Sequence, residues 1–213
     1  MSDIFREIDE ELRRDNLLKL WRQYSRYIIA VVVLALLIAG GIAAWRKHEL
    51  AQRQAQSLRY QAALSLLGEG KDAEAAKIFA SVADQGGGYG QLATFEAADL
   101  TAKAGQRKEA AADYDKLAGT SSLDPELRDA ATLLAVMNGF SDADPKTVID
   151  RLKPLTESGN SWRFTALELT AAARLKSGDK AGALAIYKQL ADDLTAPEGV
   201  RARAAEMAAV LAS

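Results

Sequence analysis

Ile28 to Ala44 is a run of seventeen residues with no charge and no strongly polar side chain, near the front of an otherwise charge-rich chain. At about 1.5 Å of rise per helical residue the run covers roughly 26 Å, and the stretch from Tyr24 to Trp45 roughly 33 Å, which matches a bilayer core of about 30 Å. Tyr24, Tyr27 and Trp45 sit where interfacial aromatic belts fall, with Arg26 and Arg46-Lys47 just outside them. The pattern predicts a transmembrane helix at 28–45, dividing a short amphipathic tail at 1–27 from a large domain at 46–213.

Two other readings of the run fit less well. A signal peptide has a short basic start and an apolar stretch of about 7–15 residues. Here the start carries six acids, Asp3, Glu7, Asp9, Glu10, Glu11 and Asp15, against six bases. Gly41-Ile42-Ala43 does offer a small-x-small cleavage pattern. A core helix of a soluble protein would more often interrupt the run with polar residues on one face. Arg13, Arg14, Lys19, Arg22 and Arg26 lie before the span, and Arg46, Lys47, Arg53 and Arg59 after it, a small charge bias. Long domains cross membranes with little regard to charge, so a short tail and a long domain favour a cytoplasmic N-terminus and an exported domain.

The chain carries 27 Lys plus Arg against 29 Asp plus Glu, and removing the tail's six of each leaves the domain nearly neutral. It has no basic face for nucleic acid. With no cysteine in the sequence there is no disulfide, Cys-ligated zinc or thiol nucleophile, so the exported domain is held by its core alone. Its Ala, Leu, Glu and Lys content predicts helices.

Those helices repeat. Gly70, Gly105 and Gly178 each begin a similar segment: Ala five residues on (Ala75, Ala110, Ala183), an aromatic nine on (Phe79, Tyr114, Tyr187), an aliphatic twelve on (Val82, Leu117, Leu190) and Ala thirteen on (Ala83, Ala118, Ala191). The spacings of 35 and 73 leave room for a degenerate copy at Ala143, with Val148, Leu152 and Leu155 in the equivalent places. Ala63, Ala98 and Ala171 supply a small residue seven before each glycine, and Val136 does so in the degenerate copy. Glycine at the turn permits a conformation that a Cβ penalises, and the alanines allow paired helices to approach.

A period near 34 with these features resembles the tetratricopeptide repeat. The Trp and Tyr usual in the first helix are missing, and the repeat-ending Pro is absent or displaced to Pro125 and Pro197. We therefore expect an all-α, tetratricopeptide-like α-solenoid of about four helix pairs, at 50–68/72–84, 90–104/107–118, 125–139/145–156 and 162–177/180–193. A capping helix follows from Pro197 to Leu211, its Glu198, Arg201, Arg203 and Glu206 suiting a solvated end.

The layout of tail, span and degenerate repeats is similar to the YfgM-like family, ancillary subunits of the Sec translocon in bacterial inner membranes. Tyr89-Gly90-Gln91-Leu92-Ala93 resembles that family's entry to a helix, and Lys176-Ser177-Gly178-Asp179-Lys180-Ala181-Gly182-Ala183 its last repeat turn. The resemblance implies a single-pass inner-membrane protein with a periplasmic scaffold domain working with the Sec translocon and periplasmic chaperones.

Signatures of catalysis are scarce. His48 is the single histidine, which excludes His-metal clusters, and its place one turn from Trp45 makes it an interfacial spacer. Gly86-Gly87-Gly88-Tyr89-Gly90 lacks the following Lys-Ser or Lys-Thr of a phosphate loop and reads as a flexible connection. Asp113 with Asp115, Asp142 with Asp144, and Asp192 with Asp193 read as solvated helix ends, without EF-hand spacing. No enzyme activity, cofactor, metal or small-molecule substrate is expected.

A binding groove is the stronger expectation, since stacked pairs form a curved surface lined by first helices. Counting from the turn glycines, its candidate protein-binding residues are Tyr60, Leu64, Phe95, Asp99, Leu133, Met137, Phe140 and Glu168, with Ala172; core packing is the other reading for Tyr60, Leu133 and Met137. The tail is a second candidate surface: Ile4, Phe5, Ile8, Leu12, Leu17, Leu20, Trp21 and Tyr24 recur at helical spacing, for anionic lipid or a cytoplasmic partner. The function expected is thus a non-catalytic, membrane-anchored scaffold linking export to chaperones. A scaffold for cell-wall or cytochrome maturation shares every one of these features.

Overall fold

The computed structural model describes the backbone of residues 2–213, and side chains from Trp21 onward except Arg22 and Ile28. The apolar residues Ile4 to Leu20 of the expected amphipathic face therefore lie outside the described side chains. The chain forms two compact units, Met1–Ala55 and Gln56–Ser213. No strand occurs among the described residues.

Helix α1, Ser2–Gly68, contains the apolar run without a break. Separate helices were expected for the span and for 50–68; instead one helix includes both. No proline lies between Trp45 and Gly68, and the intervening Arg, Lys, Glu, Leu, Ala and Gln are good helix formers. Every described side chain from residue 29 to residue 48 is exposed, including Val31, Leu36 and Leu37. An apolar surface that none of the described residues covers, long enough to cross a bilayer, is a candidate membrane span.

In the second unit the end of α1 pairs with α2 (Asp72–Ala83), and α3 (Gly87–Lys103) with α4 (Arg107–Ala118). Next come α5 (Pro125–Gly139) with α6 (Pro145–Leu152), and α7 (Arg163–Lys176) with α8 (Lys180–Asp192). Helix α9 (Glu198–Ala212) closes the series. Four hydrophobic clusters follow one another, each joining a pair to the first helix of the next: α1, α2 and α3 around Phe79; α3, α4 and α5 around Tyr114; α5, α6 and α7 around Leu152; α7, α8 and α9 around Tyr187.

The repeat positions are those read from the sequence. Ala75, Ala110 and Ala183 are fully buried, as are Ala63 and Ala171, so paired helices meet over alanine. Phe79, Tyr114, Tyr187 and, in the degenerate copy, Leu152 fill the space between them. The turns are equally regular. Gly70, Gly105 and Gly178 have φ of 74°, 86° and 86°. Around each, the glycine N–H donates to the carbonyl three residues back and the next N–H to the carbonyl five before it, as in Lys71 to Leu66, Gln106 to Thr101 and Asp179 to Arg174. These paired bonds satisfy carbonyls that a helix end leaves open.

The degenerate copy solves the same problem differently. No residue between Gly139 and Pro145 has positive φ. Instead the ammonium of Lys176, at the end of α7, donates to the carbonyls of Phe140, Ser141 and Ala143, each at 2.8 Å. Asp144 caps α6 by accepting from Thr147 N at 2.9 Å, and these bonds from the Thr147 backbone and hydroxyl hold its carboxyl below the usual range. The expected helix 145–156 stops at Leu152 and continues as a 3₁₀ turn, Lys153–Thr156, because Pro154 has no N–H to extend it.

The glycine cluster also differs from expectation. Gly87 to Gly90 form the first turn of α3 rather than a loose connection. A Cβ on Gly90 would lie 3.2 Å from the carbonyl oxygens of Val82 and Ala83, so glycine here permits α3 to start tightly against the end of α2.

Candidate protein-binding surface

Contacts between neighbouring repeats, at separations close to the period, make the period physical. The Tyr60 hydroxyl donates to Glu96 Oε1 at 3.2 Å across 36 residues. The Trp162 ring N–H reaches the Glu126 carbonyl at 3.2 Å, also across 36. Arg203 holds both carboxylate oxygens of Glu168, at 3.0 and 2.8 Å, across 35. On the second helices Arg151 pairs with Asp115 across 36.

Against this frame the expected groove residues divide. Leu64 on α1 and Met137 on α5 are 41% and 47% exposed. Phe95 and Asp99 on α3 are half-buried, Phe95 lying against the Tyr114 ring at 5.9 Å between centroids and Asp99 paired with Lys103 at 2.7 Å. Tyr60 packs edge-on against Phe79 at 5.3 Å and tilted against Tyr89 at 5.8 Å while its hydroxyl stays on Glu96. Phe140 leans on the third cluster beneath the Lys176 ammonium, 5.6 Å from its ring centre. Leu133, 3% exposed, is core: it faces Val136, Val148 and Leu152, since the degenerate α5 turns a larger part of its circumference inward. Glu168 is half-buried and engaged by Arg203. Ala172, half-buried, follows Ala171 on α7.

Two residues of this face were missed. Leu92, 40% exposed, lies one turn before Phe95 on α3, and its place three residues ahead of an expected groove position is the signal that could have found it. Glu96 directly follows Phe95, the position one repeat after Tyr60, so the period points to within one residue of it.

The face carries a negative bias. Burial, and then the Glu96 carboxylate, push the Tyr60 phenol up to about 12. Burial, with Asp99 and Glu96 behind it, pushes Tyr114 to about 12. Asp99 first, and then Asp72 and Glu96, hold the Lys103 ammonium above its ordinary value. An unfolded tyrosine loses its proton near pH 10, so between about pH 10 and 12 the folded chain keeps protons that the unfolded chain has lost. Stability contributed this way is fully present below about pH 10 and falls as pH climbs toward 12. Thermal unfolding measured across that window should show the decline, and Tyr60→Phe should make it shallower.

Among the described residues no group of three His, Asp or Glu side chains converges. A cleft of about 100 Å³ between α4, α5 and α6, lined by Ala111, Ala135, Gly139 and Ala143, lies under the Arg151–Asp115 pair. It is well below the roughly 300–1,000 Å³ of small-molecule sites.

A solenoid of paired helices with exposed apolar positions on its first helices, in a chain that also has a candidate membrane span, defines a repeat-type interaction protein. The tetratricopeptide repeat-like domain model matches residues 19–207, and the chain belongs to that family. It is 31% identical over 169 residues to the ancillary SecYEG translocon subunit of Escherichia coli (strain K12), an alignment covering 75% of this chain and 77% of that protein. Crystal structures of nearly identical TPR-like repeats from Podosopora anserina, and of a variant of them, share the fold, with TM-scores of 0.56 and 0.57. Each is 15% identical and covers 73% of this chain and 84% of the other.

Proposed function

We propose that this chain is a non-catalytic, membrane-anchored scaffold that binds partner proteins through the first-helix face of its repeats and serves as an ancillary factor of the Sec translocon. In this reading residues 1–27 are a cytoplasmic tail, 28–45 cross the bacterial inner membrane, and 46–213 work in the periplasm, where they connect export to chaperones. The observation that carries it is the 31% identity over three quarters of the chain to an ancillary translocon subunit. The exposed Leu64, Leu92 and Met137, one on each of the first helices α1, α3 and α5, support the docking role, since exposed apolar surface is what interaction sites use.

Purification from inner membranes in mild detergent, with partners identified by mass spectrometry, tests the reading. SecYEG subunits should accompany the chain at stoichiometric levels, together with a periplasmic chaperone. Recovery of the chain with cell-wall or cytochrome-maturation proteins and no SecYEG would replace the reading with a scaffold for that assembly.

A further inference from the structure

The charged groups on the first-helix face are not used evenly. In the later repeats they are occupied within the chain: Arg203 takes both oxygens of Glu168, and Lys176 is spent on three carbonyls. In the first two repeats the balance is different. Glu96 uses one oxygen on Tyr60, and among the described residues its second oxygen receives no donor. Asp99 pairs, among the described residues, with one cation, Lys103, and that contact is exposed on both sides. Their charge reaches Tyr60 on α1, Tyr114 on α4 and Lys103 on α3, with Asp72 adding to it at Lys103.

The two helices that carry these groups also present apolar and aromatic side chains. Leu64 and Leu92 are 41% and 40% exposed, and the half-buried rings of Tyr60 and Phe95 lie on the same two helices. Register places Leu64 one repeat before Asp99, and Tyr60 one repeat before Phe95, the neighbour of Glu96. Carboxylates beside aromatic rings favour a cation with a long apolar stem, and flanking leucines favour apolar neighbours on the same segment.

We propose that the face formed by α1 and α3 holds a cationic amphipathic segment of a partner protein, with a lysine or arginine between Glu96 and Asp99 and apolar side chains on Leu64 and Leu92. This rests on the docking face proposed above and names the chemistry of its occupant.

Two fluorescein-labelled synthetic peptides of about fifteen residues, sharing leucine positions and carrying lysine or glutamate elsewhere, serve as probes. Binding to the full-length chain in phosphatidylcholine nanodiscs is read by anisotropy, with empty discs subtracted. The lysine peptide should bind at least about ten-fold tighter than the glutamate peptide. Glu96→Gln with Asp99→Asn should weaken it about five- to ten-fold, as loss of two exposed charge contacts does. Equal binding of the two peptides, no binding of the lysine peptide, or indifference to the double neutral variant overturns the proposal. Leu64→Ser with Leu92→Ser should weaken the lysine peptide as well. If it does not while the double neutral variant does, the apolar docking face itself is wrong. Sedimentation showing that α1 and α3 are covered by a second copy, which the lysine peptide fails to displace, likewise overturns the partner assignment.

Discussion

Replacing Phe79 with alanine is expected to cost about 3–5 kcal/mol, the range for removing a large aromatic from a core. Phe79 is fully buried, and its cluster joins α1, α2 and α3 through Ala63, Ala75, Val82 and Ala93. A cavity there has rigid walls, because alanines already bring the helices into contact and leave little room for collapse. The Tyr60 ring, edge-on to Phe79 at 5.3 Å, loses its support as well, so the docking face should loosen with the core. Circular dichroism melting of the full-length chain in detergent checks this. Phe79→Leu should retain more than half of the lost stability, and an unchanged melt for Phe79→Ala would show that the ring does not hold the first pair together.

Ala171→Leu is expected to be nearly as damaging for the opposite reason. Ala171 and Ala183 are both fully buried where α7 meets α8 beside Tyr187. Added methyl groups can be fitted only by separating the helices, at about 1–3 kcal/mol or more. Its neighbour Ala172 is half-buried, and Ala172→Leu should change stability by no more than about 0.5 kcal/mol. Comparing the two melts isolates the register, since adjacent residues receive the same substitution. Equal melts would place the helix interface elsewhere.

The success of that register shows what a single sequence carries here. Gly178, Ala183, Tyr187 and Leu190 have their spacing because one turn, one close approach and one gap recur in three of the four pairs, and a recurring physical need writes a recurring residue. The docking face has no such constraint. Tyr60, Phe95, Leu133 and Glu168 occupy one repeat position with four different fates, a hydrogen bond, a ring contact, burial in the core and an ion pair. Position alone could not distinguish them, because what a surface side chain does depends on the neighbouring repeat. The continuity of α1 was hidden for another reason: a change from apolar to charged residues marks a change of solvent, and a helix can pass through it unbroken.

Lys176 gives the third repeat a debt to the fourth. In the other copies a glycine lets each helix end satisfy itself, whereas the carbonyls after α5 are completed by a side chain supplied from α7. In a linear array, where stability is a sum over repeats and their borders, this moves free energy from the body of one repeat into its border with the next. Fraying that begins at α9 and passes through α7 would therefore not stop at the fourth pair, and the turn after α5 becomes the place through which the C-terminal half melts as one.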